Sequence, residues 1–295
     1  MWYCTVKQEF YSGVIISMDY QVFGLGDRKY RVDSQWAEDK ATHYLKNITA
    51  VSNDDEGYIY VLQRSDPFML IFNAEGKMIN QWRNKEITDA HYVEISPAGE
   101  VFVVERDHHR IAVFNKDGEL LRMLGDKNNP GNTGEPFNHP SDIAFSKDNN
   151  MYVSDGYGNT HVHHLNPSGE LVKTWGKIGS EQGSFITPHA ILVDQKDRVL
   201  VTDRENNRVQ IFDQNGKYLK ELSNVYHPMD IYQDKDGFIY VTDQVPALYV
   251  FNSEDEFIGR CRTFGTFGHG LTVDKHGDIY IAEMLPDGLT KLSLI

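Results

Sequence analysis

Three histidines recur at one phase of an internal repeat, and that phase makes them candidates for a shared metal ion. Aligning the repeat copies on Ile59, Val101, Met151, Val199, Ile239 and Ile279 brings Thr49, His91, Ser141, His189, Met229 and His269 into register ten residues earlier. Histidine holds the second, fourth and sixth places at this phase and no other. Three neutral imidazoles converging from a rigid frame form the donor set of a zinc site with one position left open. A second ring follows the acid or glutamine that closes each second strand: Arg64, Arg106, Gly156, Arg204, Gln244 and Met284. Guanidinium pairs bidentately with carboxylate, so three arginines here predict a site for a small anionic substrate. The competing reading pairs these arginines with strand-end acids such as Glu105 and Asp203. In the third copy, Gly156-Tyr157-Gly158 is a flexible turn that could aim the Tyr157 phenol at the metal, where a cationic neighbourhood favours a base.

The elements that carry these residues are strands. An apolar run, a turn rich in Asp, Asn and Gly, and a strand ending in an acid recur as Ile143–Asp155, Ile191–Asp203, Ile231–Asp243 and Leu271–Glu283, with weaker copies at Val51–Gln63 and Val93–Glu105. A third strand such as Val209–Asp213 follows, and then an outer strand such as Lys217–Leu222. Four strands per unit at a period of roughly 40 to 50 residues predict propeller blades. Six units are visible, and the last lacks its outer strand. Lys29–Trp36 resembles the outer strands Lys77–Trp82 and Glu170–Trp175, so an all-β six-bladed propeller closed by this N-terminal strand is expected. It would span residues 29–295, behind an extension of residues 1–28. Inner strands line the channel of a propeller, so the three histidines should meet near its axis. His139 and His227, two residues earlier in phase, are expected in turns. His108, His109, His161, His163 and His164 are expected at the surface, toward the outside of a blade.

Composition limits the partners. The chain has 29 Lys and Arg against 43 Asp and Glu, a net charge of −14. Nucleic acid and anionic membrane both require a basic face, so neither is an expected partner. No obligate protein partner is implied. Two cysteines, Cys4 and Cys261, give no disulfide framework, and no apolar run near the N-terminus reaches the length of a leader or a span. A cytoplasmic protein is expected. Walker, Rossmann, Gly-x-Ser-x-Gly and Cys-x-x-Cys patterns are absent from the sequence.

Ser154–Asn159 (SDGYGN), Phe185–Ile191 (FITPHAI) and Thr202–Arg208 (TDRENNR) resemble segments of the peptidyl-α-hydroxyglycine α-amidating lyases, which are NHL-repeat propellers. The resemblance covers residues 29–295. It implies zinc held by His91, His189 and His269, with Tyr157, Arg64 and Arg204 as catalytic groups. The reaction it implies cleaves the C–N bond of a carbinolamide to an amide and glyoxylate. Arg106 has no counterpart in the family and, with Phe267, is assigned to substrate binding. Phe267 replaces a family methionine. Gly270 replaces the aspartate that helps hold a structural calcium, which counts against calcium in this chain. Three alternatives stay open: a lyase or hydrolase acting on a ureidoglycolate-like metabolite, a calcium lactonase, and a non-catalytic NHL scaffold. The histidine ring speaks against the lactonase, whose calcium takes Glu, Asn and Asp ligands.

Overall fold

A computed structural model describes residues 21–37, 45–263 and 265–295. Cys4 and most of the expected N-terminal extension lie outside the described residues.

Twenty-five strands form six antiparallel sheets. Blade 1 contains β3 (Ile48–Asn53), β4 (Ile59–Gln63), β5 (Met69–Phe72) and β6 (Met78–Trp82). Blade 2 contains β7 (Ala90–Ile95), β8 (Val101–Glu105), β9 (Arg110–Phe114) and β10 (Leu120–Gly125). Blade 3 runs through β11 (Asp142–Phe145), β12 (Met151–Asp155), β13 (His161–Leu165) and β14 (Leu171–Trp175). Blade 4 runs through β15 (Pro188–Val193), β16 (Val199–Asp203), β17 (Arg208–Phe212) and β18 (Tyr218–Leu222). Blade 5 comprises β19 (Pro228–Gln233), β20 (Ile239–Asp243), β21 (Ala247–Phe251) and β22 (Phe257–Arg262). Blade 6 takes β23 (Gly268–Val273), β24 (Ile279–Met284) and β25 (Asp287–Leu294) from the C-terminus, and β2 (Arg28–Asp33) and β1 (Val22–Leu25) from the N-terminus.

The chain therefore closes the ring as its sequence predicts, with Tyr30 opposite Leu294 and Asp33 opposite Lys291. The closing strand is also fastened to blade 5. The Arg28 guanidinium bonds Asp234 and Tyr240, pairs with Asp236 at 2.8 Å and lies 3.9 Å from the Phe238 ring centroid.

Each sheet is covered on both faces by its neighbours, so its second strand is apolar on both sides. IYVLQ, VFVVE and IYVTD are buried at every position. Burying each Val, Ile or Phe contributes about 1.5–3 kcal/mol before the entropy of ordering is subtracted. Outer strands face solvent along most of their length, as MINQW and YLKEL do. Aspartates shape the turns between first and second strands. Asp54 Oδ1, for example, accepts the Gly57 and Tyr58 amides at 2.9 Å and ties the turn between β3 and β4.

Candidate metal centre at the channel mouth

The first strands bring the in-phase residues together on the axis. The His91, His189 and His269 rings stand 5.0–5.3 Å apart, and one ligand nitrogen from each lies within 4.8 Å of the others. The backbone carbonyls between them are used as well. His91 Nδ1 bonds Ser141 O at 2.8 Å, His189 Nδ1 bonds Met229 O at 2.7 Å, and His269 Nδ1 bonds Thr49 O at 2.6 Å. A carbonyl only accepts, so each Nδ1 carries the proton and each Nε2 keeps its lone pair. Burial, followed by the neighbouring histidines, holds His91 and His189 well below the usual imidazole range. Burial lowers His269 to about 4. Three neutral imidazoles with aimed lone pairs fit a divalent transition metal such as zinc.

Tyr157 reaches this ring from the loop after β12. Its hydroxyl donates to His189 Nε2 at 2.9 Å and lies 3.3 Å from His91 Nε2, while Arg204 Nη1 donates to it at 3.3 Å. The loop is one residue longer than its equivalents. Asp155 pairs with His161 across five residues, where Asp203 pairs with Arg208 and Glu105 with Arg110 across four. That insertion shifts the second ring by one place in blade 3. In blades 1, 4, 5 and 6 the ring residue's amide donates to the carbonyl two residues ahead of the histidine phase, as Arg204 N does to Thr187 O. In blade 3 the bond comes from Tyr157 N to His139 O at 3.3 Å, so Tyr157, not Gly156, holds the ring position. Gly156 is tight against blade 4, since a Cβ there would lie 1.8 Å from Pro188 O.

The three arginines differ. Arg204 Nε is taken by Glu205 at 2.8 Å, which leaves Nη1 for Tyr157. Arg106 grips Asp107 with Nε at 2.7 Å and Nη2 at 3.0 Å, and its guanidinium carbon lies 5.0 Å from the Tyr157 ring centroid. Arg64 bonds Ala90 O and Asp89 through Nε, at 3.2 and 3.4 Å, and neither terminal nitrogen has a partner among the described residues. Burial lowers the pKa of this guanidinium despite Asp89. The strand-end acids are held by other arginines, Arg110 for Glu105 and Arg208 for Asp203. Phe267 is half-buried at the start of the blade 6 inner strand, bonded through its carbonyl to Met284 N.

One expectation needs correction. His109 and His163 are buried, at 8% and 0% exposure, because β9, β13 and the loops before them are covered by adjacent blades. Gly270 leaves no room for the aspartate of the family: a Cβ there would stand 2.7 Å from Ala50 Cα and 3.0 Å from Val51 N. Below the histidines Tyr92 instead crosses the channel from blade 2 and donates to Asp230 Oδ1 of blade 5 at 2.9 Å. Asp142 and Asp230 accept amides of the following blades, Ile191 N and Leu271 N, at 2.8 and 2.6 Å.

Some site residues were out of reach of residue-type reasoning. Thr49, Ser141 and Met229 act through carbonyls, and no side-chain pattern reports that. Asp89, Asp107 and Glu205 each lie beside an arginine only after folding or along a loop where acids are common. His139 and His227 take left-handed backbone, φ 60° and 42°, in the turns expected of them.

Fold and ring together define a six-bladed β-propeller with a candidate metal centre at the mouth of its channel. The NHL repeat family matches residues 185–212. The chain is similar at modest identity to proteins of the amidating-lyase type. It is 29% identical over 245 residues to the probable peptidyl-alpha-hydroxyglycine alpha-amidating lyase of Caenorhabditis elegans, covering 76% of this chain and 69% of that protein. It is 27% identical over 314 residues to mouse NHL repeat-containing protein 3, covering 95% and 90%. Among solved structures, virginiamycin B lyase from Staphylococcus aureus matches with a TM-score of 0.66 over 91% of this chain and 100% of that chain. At 16% identity that likeness concerns the fold alone.

Proposed function

We propose that this propeller is a zinc-dependent carbon–nitrogen lyase that splits an α-hydroxylated N-acylglycine into an amide and glyoxylate. The observation that carries the reading is the Tyr157 hydroxyl, 2.9 Å from the lone pair of His189 Nε2 and 3.3 Å from an Arg204 donor. His91, His189 and His269 would hold the ion, which when bound supplies a Lewis acid for the substrate hydroxyl. As a phenolate stabilised by Arg204, Tyr157 takes the hydroxyl proton and becomes a phenol. The hydroxyl-bearing carbon becomes the glyoxylate aldehyde as its C–N bond breaks, and the Tyr157 phenol gives its proton to the leaving amide nitrogen. Arg64 presents two uncommitted terminal nitrogens, the fork that suits one carboxylate. Arg106, its own fork filled by Asp107, packs over the Tyr157 ring and borders the substrate. A mouth with one open fork favours a monocarboxylate. The relatives named as amidating lyases support the reaction class. The test is glyoxylate release from N-benzoyl-α-hydroxyglycine by wild type and by Tyr157→Phe. Turnover in the wild type that falls at least about a hundredfold in the variant is expected. Equal rates in the two proteins would refute the role of Tyr157, and no release from the wild type would refute the lyase.

A further inference from the structure

We infer that His163, deep inside blade 3, is the positioning residue for Tyr157; the inference rests on the lyase reading above for its kinetic readout. His163 touches neither the metal centre nor the substrate. Its ring is fully enclosed, with Nε2 3.1 Å from Asp155 Oδ2 and Nδ1 2.9 Å from Thr174 Oγ1. The ionised carboxylate only accepts, so Nε2 carries the proton and Nδ1 accepts from the threonine hydroxyl. One tautomer satisfies both bonds and fixes the ring. Asp155 is the hub of the loop that carries Tyr157. Its Oδ2 also accepts the Asn138 amide and the Asn159 side chain, each at 2.8 Å. Asn138 and His139 in turn accept the Gly158 and Tyr157 amides, at 3.1 and 3.3 Å. The path from His163 to the Tyr157 backbone is therefore continuous: His163, Asp155, Asn138–His139, Tyr157.

The neighbouring blades show what is different here. In blade 4 the hub Asp203 is held by Arg208 Nε at 2.9 Å and by Gln210 Nε2 at 3.0 Å. In blade 2 the hub Glu105 is held by Arg110 Nε at 2.6 Å. Blade 3 has His161 where those blades have arginine, and among the described residues the His161 side chain makes no hydrogen bond to Asp155. His163 stands at the strand position of Gln210 and supplies the one side-chain bond from β13 to the hub carboxylate among the described residues. Replacing it with an apolar residue would leave a buried carboxylate short of a donor beneath the inserted loop.

Blade 4 also supplies the control. His163→Gln copies the side chain that holds Asp203, whereas His163→Leu fills the volume with no donor. Neither touches a metal ligand, because the histidine ring comes from blades 2, 4 and 6. The measurements are kcat and KM for N-benzoyl-α-hydroxyglycine, bound zinc, and amide exchange at Tyr157 and Gly158. In His163→Leu, kcat should fall at least about tenfold, with KM within about twofold and zinc content unchanged, as loss of alignment predicts. Amide exchange at the two positions should accelerate. His163→Gln should restore both readouts to within about twofold of wild type. Unchanged kcat and exchange in His163→Leu, or no recovery in His163→Gln, would overturn the inference. If the wild type releases no glyoxylate, the lyase reading fails alone. Exchange at Tyr157 and Gly158 then decides, and equal protection in all three proteins would refute the link from His163 to the loop.

Discussion

His91 donates its Nδ1 proton to the Ser141 carbonyl, a residue at its own phase in the next blade, at 2.8 Å. The same relation joins His189 to Met229 and His269 to Thr49. Six residues at one phase thus divide into three candidate ligands and three supports. The ligand geometry is built into strands whose positions the blade packing already determines.

Arg64 and Arg106 should behave differently when removed. Arg64→Ala takes away the open fork, and a charge-assisted bidentate contact is worth roughly 1.5–3 kcal/mol. KM should rise about tenfold or more, with Arg64→Lys recovering only part of it. Arg106→Ala should raise KM less than about threefold, since its fork is spent on Asp107. Steady-state kinetics on one substrate checks both, and a larger effect at Arg106 would reverse the assignment.

The channel beneath the histidines should make stability fall as pH rises toward 8. Burial, with the mutual repulsion of the carboxylates, pushes Glu94 up to about 8 and Asp142 well above its ordinary range, while burial pushes Asp230 up to about 7. A carboxyl whose folded pKa is raised stabilises below its unfolded value, and that contribution is lost as pH climbs through the folded one. The slope is about 1.4 kcal/mol per pH unit for each proton held. The lowered histidines act oppositely, but only below their ordinary value near 6.5, in the case of His269 down to about 4. Thermal melts from pH 6.5 to 8 should therefore show a declining Tm, flatter in Glu94→Gln. A Tm that rises over that window would contradict the assignment of protons to this cluster.

Calcium should not stabilise the fold. Gly270 has no room for a side chain, and Asp142 and Asp230 spend their oxygens on amides of neighbouring blades and on Tyr92. Millimolar calcium or its chelation should leave Tm unchanged. Gly270→Asp should lower Tm by forcing blade 1 away, a steric cost on the order of 1–3 kcal/mol. A calcium-dependent Tm in the wild type would contradict this prediction.

The blades and the histidine ring were legible because a propeller repeats. Ile59 through Ile279 align without any homologue, and residues at a common phase share a radius and a depth. Tyr157 was legible as a departure from the repeat, though its ring position was off by one because an inserted residue does not announce where it sits. His163 was misread as surface. Strand propensity locates β13 in the blade but says nothing of the neighbour that covers it. The carbonyl supports at Thr49, Ser141 and Met229 could not be read at all, because every residue type offers the same acceptor.

The most direct test of the metal centre is the zinc content of purified wild type and His189→Ala after dialysis against trace zinc. One zinc per chain in the wild type, with near-complete loss in the variant and an unchanged fold, is the expected result. Absence of stoichiometric metal from the wild type, or equal zinc in both proteins, would contradict it.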